Sequence, residues 1–436
     1  MSDKYWRRIF HPAPKEGNKM KANNLGSKIR DEFPIFKNNE KSVNGQTKPF
    51  VYLDSAVSAQ KPKHVIQAMV NHLENDYGSV HRGAYGVSIR SSQMYEDTRH
   101  KVAKFIDPKI NANQVVFTRG TTEALNILAY GISDVYLNEN SRIVIPAIEH
   151  HANLIPWQQA ALRKDCELAY ISMLGKKGNQ LTLNLSEAEK LITKNTKIVS
   201  LAYVGNVIGQ INPIEEIIAM AKKVGSLVIL DCAQSMSTHE EYLFSLGADA
   251  IAFSPHKLYG PSGIGVLAMS EELIEKLPPS TFGGGMISDV TLEESQWISG
   301  PAKFEAGTPP ITEVCGLGAA IDWVEKKGRK NIHNHSSELA KIFLDGLKNI
   351  NDIEVFSPES GQETIISFRH KKIHAHDMAT ILDSENIAMR AGHHCAWPLI
   401  RILGVDALIR CSFAAYSDRD DVEIALEAIK NASKKV

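Results

Sequence analysis

The chain has 436 residues, with 49 Lys and Arg against 50 Asp and Glu, for a formal net charge of -1. That balance gives no global bias toward nucleic acid or a membrane surface, and no apolar run reaches bilayer length, so a soluble protein is expected. Hydrophobic residues at 43% and charged residues at 23% suit a globular chain with a sizeable core, longer than one ordinary domain.

Residues 1–28 read as a basic extension broken by Pro, Gly and Asn, disordered or loosely docked. Organellar import through it is the less favoured reading, because Asp3 and Glu16 intrude and serine is scarce. Helical structure is expected near Ile29, ending by Pro34. From Phe50 strand and helix alternate: VYLDSA (51–56) a strand, Lys63 to Tyr77 and Met94 to Phe105 helices, QVVFTRG (114–120) a strand, TTEALNILAYGI (121–132) a helix. RIVIPAIEHH (142–151) is a strand with its exit loop. ELAYISM (167–173), TKIVSLAYVGNVIG (196–209) and SLVILDCAQS (226–235) supply further strands, with helices at Ser186 to Thr193 and Ile214 to Val224. Ala248 to Phe253 is a buried strand that runs into Ser254, Pro255, His256 and Lys257, then a glycine-rich loop and a hairpin-like return, Val266 to Met269.

This alternation of near-continuous apolar strands with helices predicts an α/β fold with a mainly parallel central sheet over residues 29–310. From 311 to 436 the texture changes to a smaller α+β domain: long helices, strands at 353–356, 364–368 and 408–412, and a closing helix at 419–430. The five cysteines, Cys166, Cys232, Cys315, Cys395 and Cys411, form no CxxC pair. They argue against a disulfide framework or a structural metal site and for a reducing compartment, the cytoplasm. Four read as small buried hydrophobes.

Polar residues collect at strand ends, where open α/β sheets bind ligands. Gly120-Thr121-Thr122 is an anion site or an ordinary helix cap. Asp231 ends an apolar strand and needs a cation, either a protonated pyridine nitrogen or a nearby arginine. Gln234 could reach a phenolic oxygen; His150 could stack on a ring or be a plain loop histidine; Asn206 could be a turn residue. Lys257 is a desolvated amine suited to an aldehyde, or a surface lysine in a turn. Taken together, a phosphate cradle, a buried acid, a flat ring and a lysine are the equipment of pyridoxal 5′-phosphate chemistry.

RGTTEALN (119–126), EHHANLIPW (149–157), YVGNVIG (203–209), DCAQ (231–234), SPHKLYGPSGIG (254–265), FEAGTPP (304–310), RAGHHCAWPL (390–399) and RCSFAAY (410–416) together resemble the blocks of SufS-type (group II) cysteine desulfurases. These are class V aminotransferase-like enzymes of PLP fold type I. The resemblance implies that Lys257 tethers the cofactor, Asp231 meets its pyridine nitrogen, Gln234 its ring oxygen, and His150 its face. It also implies that Thr121, Thr122, Ser254 and His256 hold the phosphate, with Thr308 reaching across a homodimer. Arg410 and Asn206 would take the L-cysteine carboxylate, and Arg82 would line the site from the partner chain. Cys395 would take the sulfur as a persulfide and release L-alanine, with the flanking imidazoles favouring its thiolate. The implied pathway is iron-sulfur cluster assembly through a SufU-type or SufE-type sulfur acceptor, and His376-Asp377 leans toward SufU. Cys232, Gly205 and Pro255 depart from the family pattern, and residues 283–297 resemble its β-hook. A selenocysteine lyase and a non-catalytic scaffold of the same fold are the alternatives. A nicotinamide-binding fold is disfavoured, since no GxGxxG follows the first strand.

Overall fold

The computed structural model describes residues 25–43, 46–81, 83–176 and 181–435. Residues 1–24 of the expected extension, and Arg82, therefore lie outside the described residues. Residues 25–28 belong to the folded body: Leu25 is buried and the Gly26 N–H donates to Ala415 O at 2.7 Å. Helical structure begins earlier than expected, as a 3-10 helix over Gly26–Glu32. Pro34 opens a second short helix, Pro34–Asn38, instead of ending the first. A proline is at home in a first helical turn, where its missing N–H has no intrahelical partner to lose.

Seven strands form the central sheet: β1 (Val115–Thr118), β2 (Arg142–Pro146), β3 (Glu167–Ile171), β4 (Thr196–Ala202), β5 (Leu227–Asp231), β6 (Ala250–Phe253) and β7 (Gly265–Met269). Their order is β1-β7-β6-β5-β4-β2-β3. β7 runs antiparallel to both neighbours and every other pair is parallel. The sheet is thus mainly parallel, as the alternation predicts. Successive side chains of a strand point to opposite faces. Ile143 and Ile145 of β2 pack with Leu125, Leu128 and Trp157, whereas Val144, between them, joins the core on the other face with Val228, Ile217 and Leu317.

Helices α1 (Gly86–Ile106), α2 (Thr121–Tyr136), α3 (His151–Lys164), α4 (Ile214–Lys223) and α5 (Ile311–Lys327) cover these faces. Helix α3 has no counterpart in the sequence reading. Pro156 lies inside it and interrupts the apolar spacing that would reveal it.

A second sheet, antiparallel throughout, comprises β8 (Ile353–Val355), β9 (Ile365–His370), β10 (Arg390–Gly392) and β11 (Leu408–Ser412) in the order β8-β9-β11-β10. Helices α6 (Arg329–Leu347), α7 (Ala375–Ser384) and α9 (Arg419–Ser433) pack on it, and α8 (Trp397–Leu403) joins β10 to β11. The expected strand at VYLDSA is only Val51–Tyr52, and it pairs with Ile387–Ala388 of this second unit rather than with the central sheet. Leu53 continues the stitch, its N–H donating to Ala388 O at 2.9 Å and its carbonyl accepting from Ser412 N at 2.8 Å.

One buried ion pair fixes the loop that leaves the central unit. Arg99 of α1 forks onto Glu305, Nη1 to Oε1 at 2.7 Å and Nη2 to Oε2 at 2.9 Å. Tyr95 Oη and Phe117 N also donate to that carboxylate, at 3.0 and 2.7 Å. Removing one member of such a pair leaves a buried charge uncompensated. Glu305→Ala is expected to destabilise the protein by about 3–5 kcal/mol, seen as a clear fall in the thermal unfolding midpoint; an unchanged midpoint would show that the pair is dispensable.

Candidate active site

The lysine turn is built by the end of β6. All of β6 is buried, and Pro255–Lys257 then forms a single 3-10 turn with proline at its first position. Pro255 presets that turn's φ, so this departure from the family pattern suits the backbone. Beside it, a Cβ placed on Gly265 would lie 2.4 Å from the Gly120 Cα, so only glycine lets the returning strand pass the turn before α2. Thr121 N and Ser254 Oγ meet at 2.8 Å, and the two hydroxyls at 2.6 Å.

These elements enclose a cavity of about 300 Å3. Thr121, Thr122, His150, Asn206, Asp231, Gln234, Ser254, His256, Lys257, Cys395 and Arg410 all line it. Lysine and thiol, the two groups the sequence reading requires to meet, share this one space. Thr308 does not line it; it is exposed on the loop after Glu305.

Burial sets the charges. It pulls the Lys257 amine down to about 8, with Arg410 acting in the same direction and Asp231 and Cys395 opposing. Burial pushes the Asp231 carboxyl up, offset by the Ala233 N–H at 2.9 Å and by Lys257. Among the described residues, Lys257 is the cation that acts on Asp231, with no arginine beside it. His150 and His256 are each pulled down to about 4, first by burial and then by Lys257, so both rings are neutral. His150 Nδ1 accepts the Ala152 N–H at 3.0 Å, which leaves the ring proton on Nε2.

Cys395 is the exposed cysteine; Cys232 and Cys411 are fully buried, and Cys166 and Cys315 only partly. The expectation that flanking imidazoles support its thiolate fails for His394, which burial and Arg410 hold neutral at about 3. Three cations neighbour the sulfur: Lys257, Arg390 and Arg410 are each drawn toward their charged forms by Cys395.

Two groups here escaped the sequence reading. Asp54, just past the stitched strand, accepts from Arg390 Nε at 3.0 Å and Arg410 Nη2 at 3.3 Å. Arg390 itself lines the cavity. Arg410 is 2% exposed; its Nη1 donates to Asn206 O at 2.8 Å and its Nε has no partner among the described residues. The Asn206 side chain, expected to help bind substrate, donates instead to His394 O at 2.7 Å. A long-range pairing of this kind leaves no local signal. The Gly205 departure is compensated in space. A Cβ there would fall 1.9 Å from Gln210 Oε1, so the buried glutamine side chain fills the volume that a serine would claim. Cys232 is inert packing, its thiol pushed up by burial.

The pyridoxal phosphate implied by the resemblance fits this chemistry. The cavity offers a buried carboxylate with no arginine partner among the described residues, an amine near neutrality, a flat neutral ring, and hydroxyl and N–H donors at a helix start.

Residues 51–424 match the family model described as aminotransferase class-V. A probable cysteine desulfurase of Halalkalibacterium halodurans is 40% identical over 406 residues, covering 93% of this chain and 97% of that protein. A cysteine desulfurase of Haloferax volcanii is 38% identical over 415 residues, covering 93% and 96%. Among solved structures, the apo cysteine desulfurase of Thermococcus onnurineus superposes with a TM-score of 0.87 at 33% identity, covering 94% of this chain and 99% of that one.

The Lys257 amine of cofactor-stripped protein is expected to capture pyridoxal phosphate at a rate that climbs with pH and levels off above about 8, since only the neutral amine attacks. Asp231→Asn removes a charge that raises the Lys257 value, so the midpoint moves lower. Absorbance-followed capture across the neutral to alkaline range checks this, and a midpoint at the ordinary 10.5 would refute the desolvated amine.

Proposed function

The chain belongs to the class-V aminotransferase family, and we propose that it works there as a pyridoxal-phosphate-dependent cysteine desulfurase of the SufS type. The observation that carries this is the pairing of Lys257 with Cys395 across one cavity that also holds Asp231 and Arg410.

When bound, the cofactor supplies an electron sink for charge developing at the substrate Cα. The protein's own groups do the rest. Arg410 takes the L-cysteine carboxylate, using the N–H groups that Asp54 and Asn206 leave free. Lys257 Nζ, near neutrality, removes the proton from Cα and later returns one. Asp231 would supply the negative charge that keeps the pyridine nitrogen protonated, Gln234 would serve the ring oxygen, and His150 would lie against the ring. Thr121, Thr122, Ser254 and His256 would receive the phosphate, His256 as a neutral donor.

The Cys395 thiolate then attacks the substrate sulfur. The carbon–sulfur pair goes to Cβ, which gains a proton, and a new sulfur–sulfur bond leaves a persulfide on Cys395 with L-alanine as the other product.

In this proposal two copies share their active sites, with Thr308 and Arg82 contributed across the interface. Support comes from the exposed Thr308 on a loop anchored by Glu305, and from the protruding hairpin Ile287–Val290 and Ser295–Trp297, where Phe282 and Trp297 lie exposed with ring centroids 5.5 Å apart. The sulfur is destined for iron-sulfur cluster assembly in the cytoplasm, passed to a SufU-type or SufE-type acceptor. His376 at the start of α7, stacked on His374 at 5.5 Å, favours SufU.

Incubation with L-cysteine should release alanine and add one sulfur to the peptide containing Cys395, located by mass spectrometry. Cys395→Ala should keep the cofactor but lose both outcomes. Arg410→Lys, which cannot pair bidentately, should raise KM for L-cysteine about 10–100-fold. No alanine from the loaded enzyme, or full acceptor-dependent sulfide release by Cys395→Ala, would overturn the assignment.

A further inference from the structure

The cysteine loop is held by more than its own sequence. His394 and Cys395 both sit in the left-handed region, at φ 53° and 56°, which non-glycine residues adopt only where neighbours hold them there. His394 O is taken by Asn206, and His394 Nε2 faces Leu408 O at 3.1 Å. The Ala396 N–H also donates to His393 O at 3.0 Å, and two further bonds come from one residue of α3. His151, the first residue of α3, donates its backbone N–H to Cys395 O at 2.8 Å. Its side chain then closes a second bond, Nε2 accepting the Trp397 N–H at 3.1 Å. A backbone N–H can only donate, so Nε2 must carry a lone pair and the ring must be neutral.

We propose that His151 is the positioning residue that seats the Cys395 loop, clamping the chain on both sides of the thiol through its backbone N–H and its neutral imidazole. The role rests on the desulfurase reading for its purpose and on the two hydrogen bonds alone for its existence. Protonation of His151 removes the acceptor that Trp397 uses among the described residues, so the imidazole half of the clamp releases in acid while the backbone bond to Cys395 O stays. Burial and the neighbouring His393 both hold His151 below the ordinary imidazole range, which keeps it closed at neutral pH. The titratable groups facing it are His393 from the cysteine loop and His150 from its own segment. His393 stacks on Trp397 at 3.6 Å, so the released segment stays tethered by that ring contact.

Hydrogen exchange at the Trp397 amide, measured on the holoenzyme without substrate and corrected for intrinsic pH dependence, reads the clamp directly. His151→Ala should lose about tenfold in protection at neutral pH, the worth of one hydrogen bond. His151→Gln, whose side-chain oxygen can still accept, should keep it. As the pH falls through and below the imidazole range the wild type should lose that protection while His151→Gln does not, a crossing that general loosening of the fold would not produce. In single-turnover assays His151→Ala should slow sulfur transfer to Cys395 with little change in KM. Equal protection in wild type and His151→Ala, or parallel pH profiles for wild type and His151→Gln, would overturn the proposal. Because exchange is read without turnover, that result stands apart from the fate of the desulfurase assignment.

Discussion

The carboxylate of Asp54 ties together the parts that make the cavity. It sits where the chain leaves the second sheet for the central unit, and it binds Arg390 and Arg410 at once. Arg390 lies five residues before the thiol and Arg410 in the strand that follows its loop. One anion therefore orients both arginines at the thiol end of the cavity, and it balances part of a positive charge that would otherwise repel itself. Such a triad gains little from charge alone, since desolvation offsets most of the attraction. Its value lies in geometry: each guanidinium is held by a partner on a different segment, and Arg410 keeps an unused Nε.

The same logic of few, enclosed charges holds beside His150, behind the cavity wall. Glu149, beside His150, is buried and pushed up to about 8 by that burial, with Asp231 acting in the same direction. Its partners are donors only, Ala202 N at 2.9 Å and Asn153 Nδ2 at 2.8 Å, which pull it back toward the carboxylate. Asn153 can offer nothing else, because its oxygen already accepts from Trp157 Nε1 and Ser200 Oγ. Asp231, buried beside the Lys257 amine, is the charge that favours a further cation such as a protonated ring nitrogen, while Glu149 is drawn toward its neutral form.

The strands of the central sheet were readable because burial on both faces leaves continuous apolar runs, and the polar residues at their ends stood out against that background. Residues acting through local context, Lys257 after β6 or Asp231 ending β5, carried a signal for the same reason. Helix α3 did not, because Pro156 masks its period. Asp54, Arg390, Glu305 and His151 did not either. Each matters through a partner tens to hundreds of residues away, and nothing in a window of sequence distinguishes Asp54 from a solvated turn acid. The hairpin return of β7 was legible, but the reason for its glycine at 265 is spatial, a contact with residue 120.

The packing of Gln210 into the space above Gly205 makes these two sites a coupled pair. A side chain can be restored at 205 only after the residue at 210 has been shortened or has swung away, whereas shortening 210 first opens a hole that 205 alone cannot fill. A substitution at either site is therefore felt at the other: a side chain at 205 needs Gln210 moved aside, and shortening Gln210 empties the space over 205.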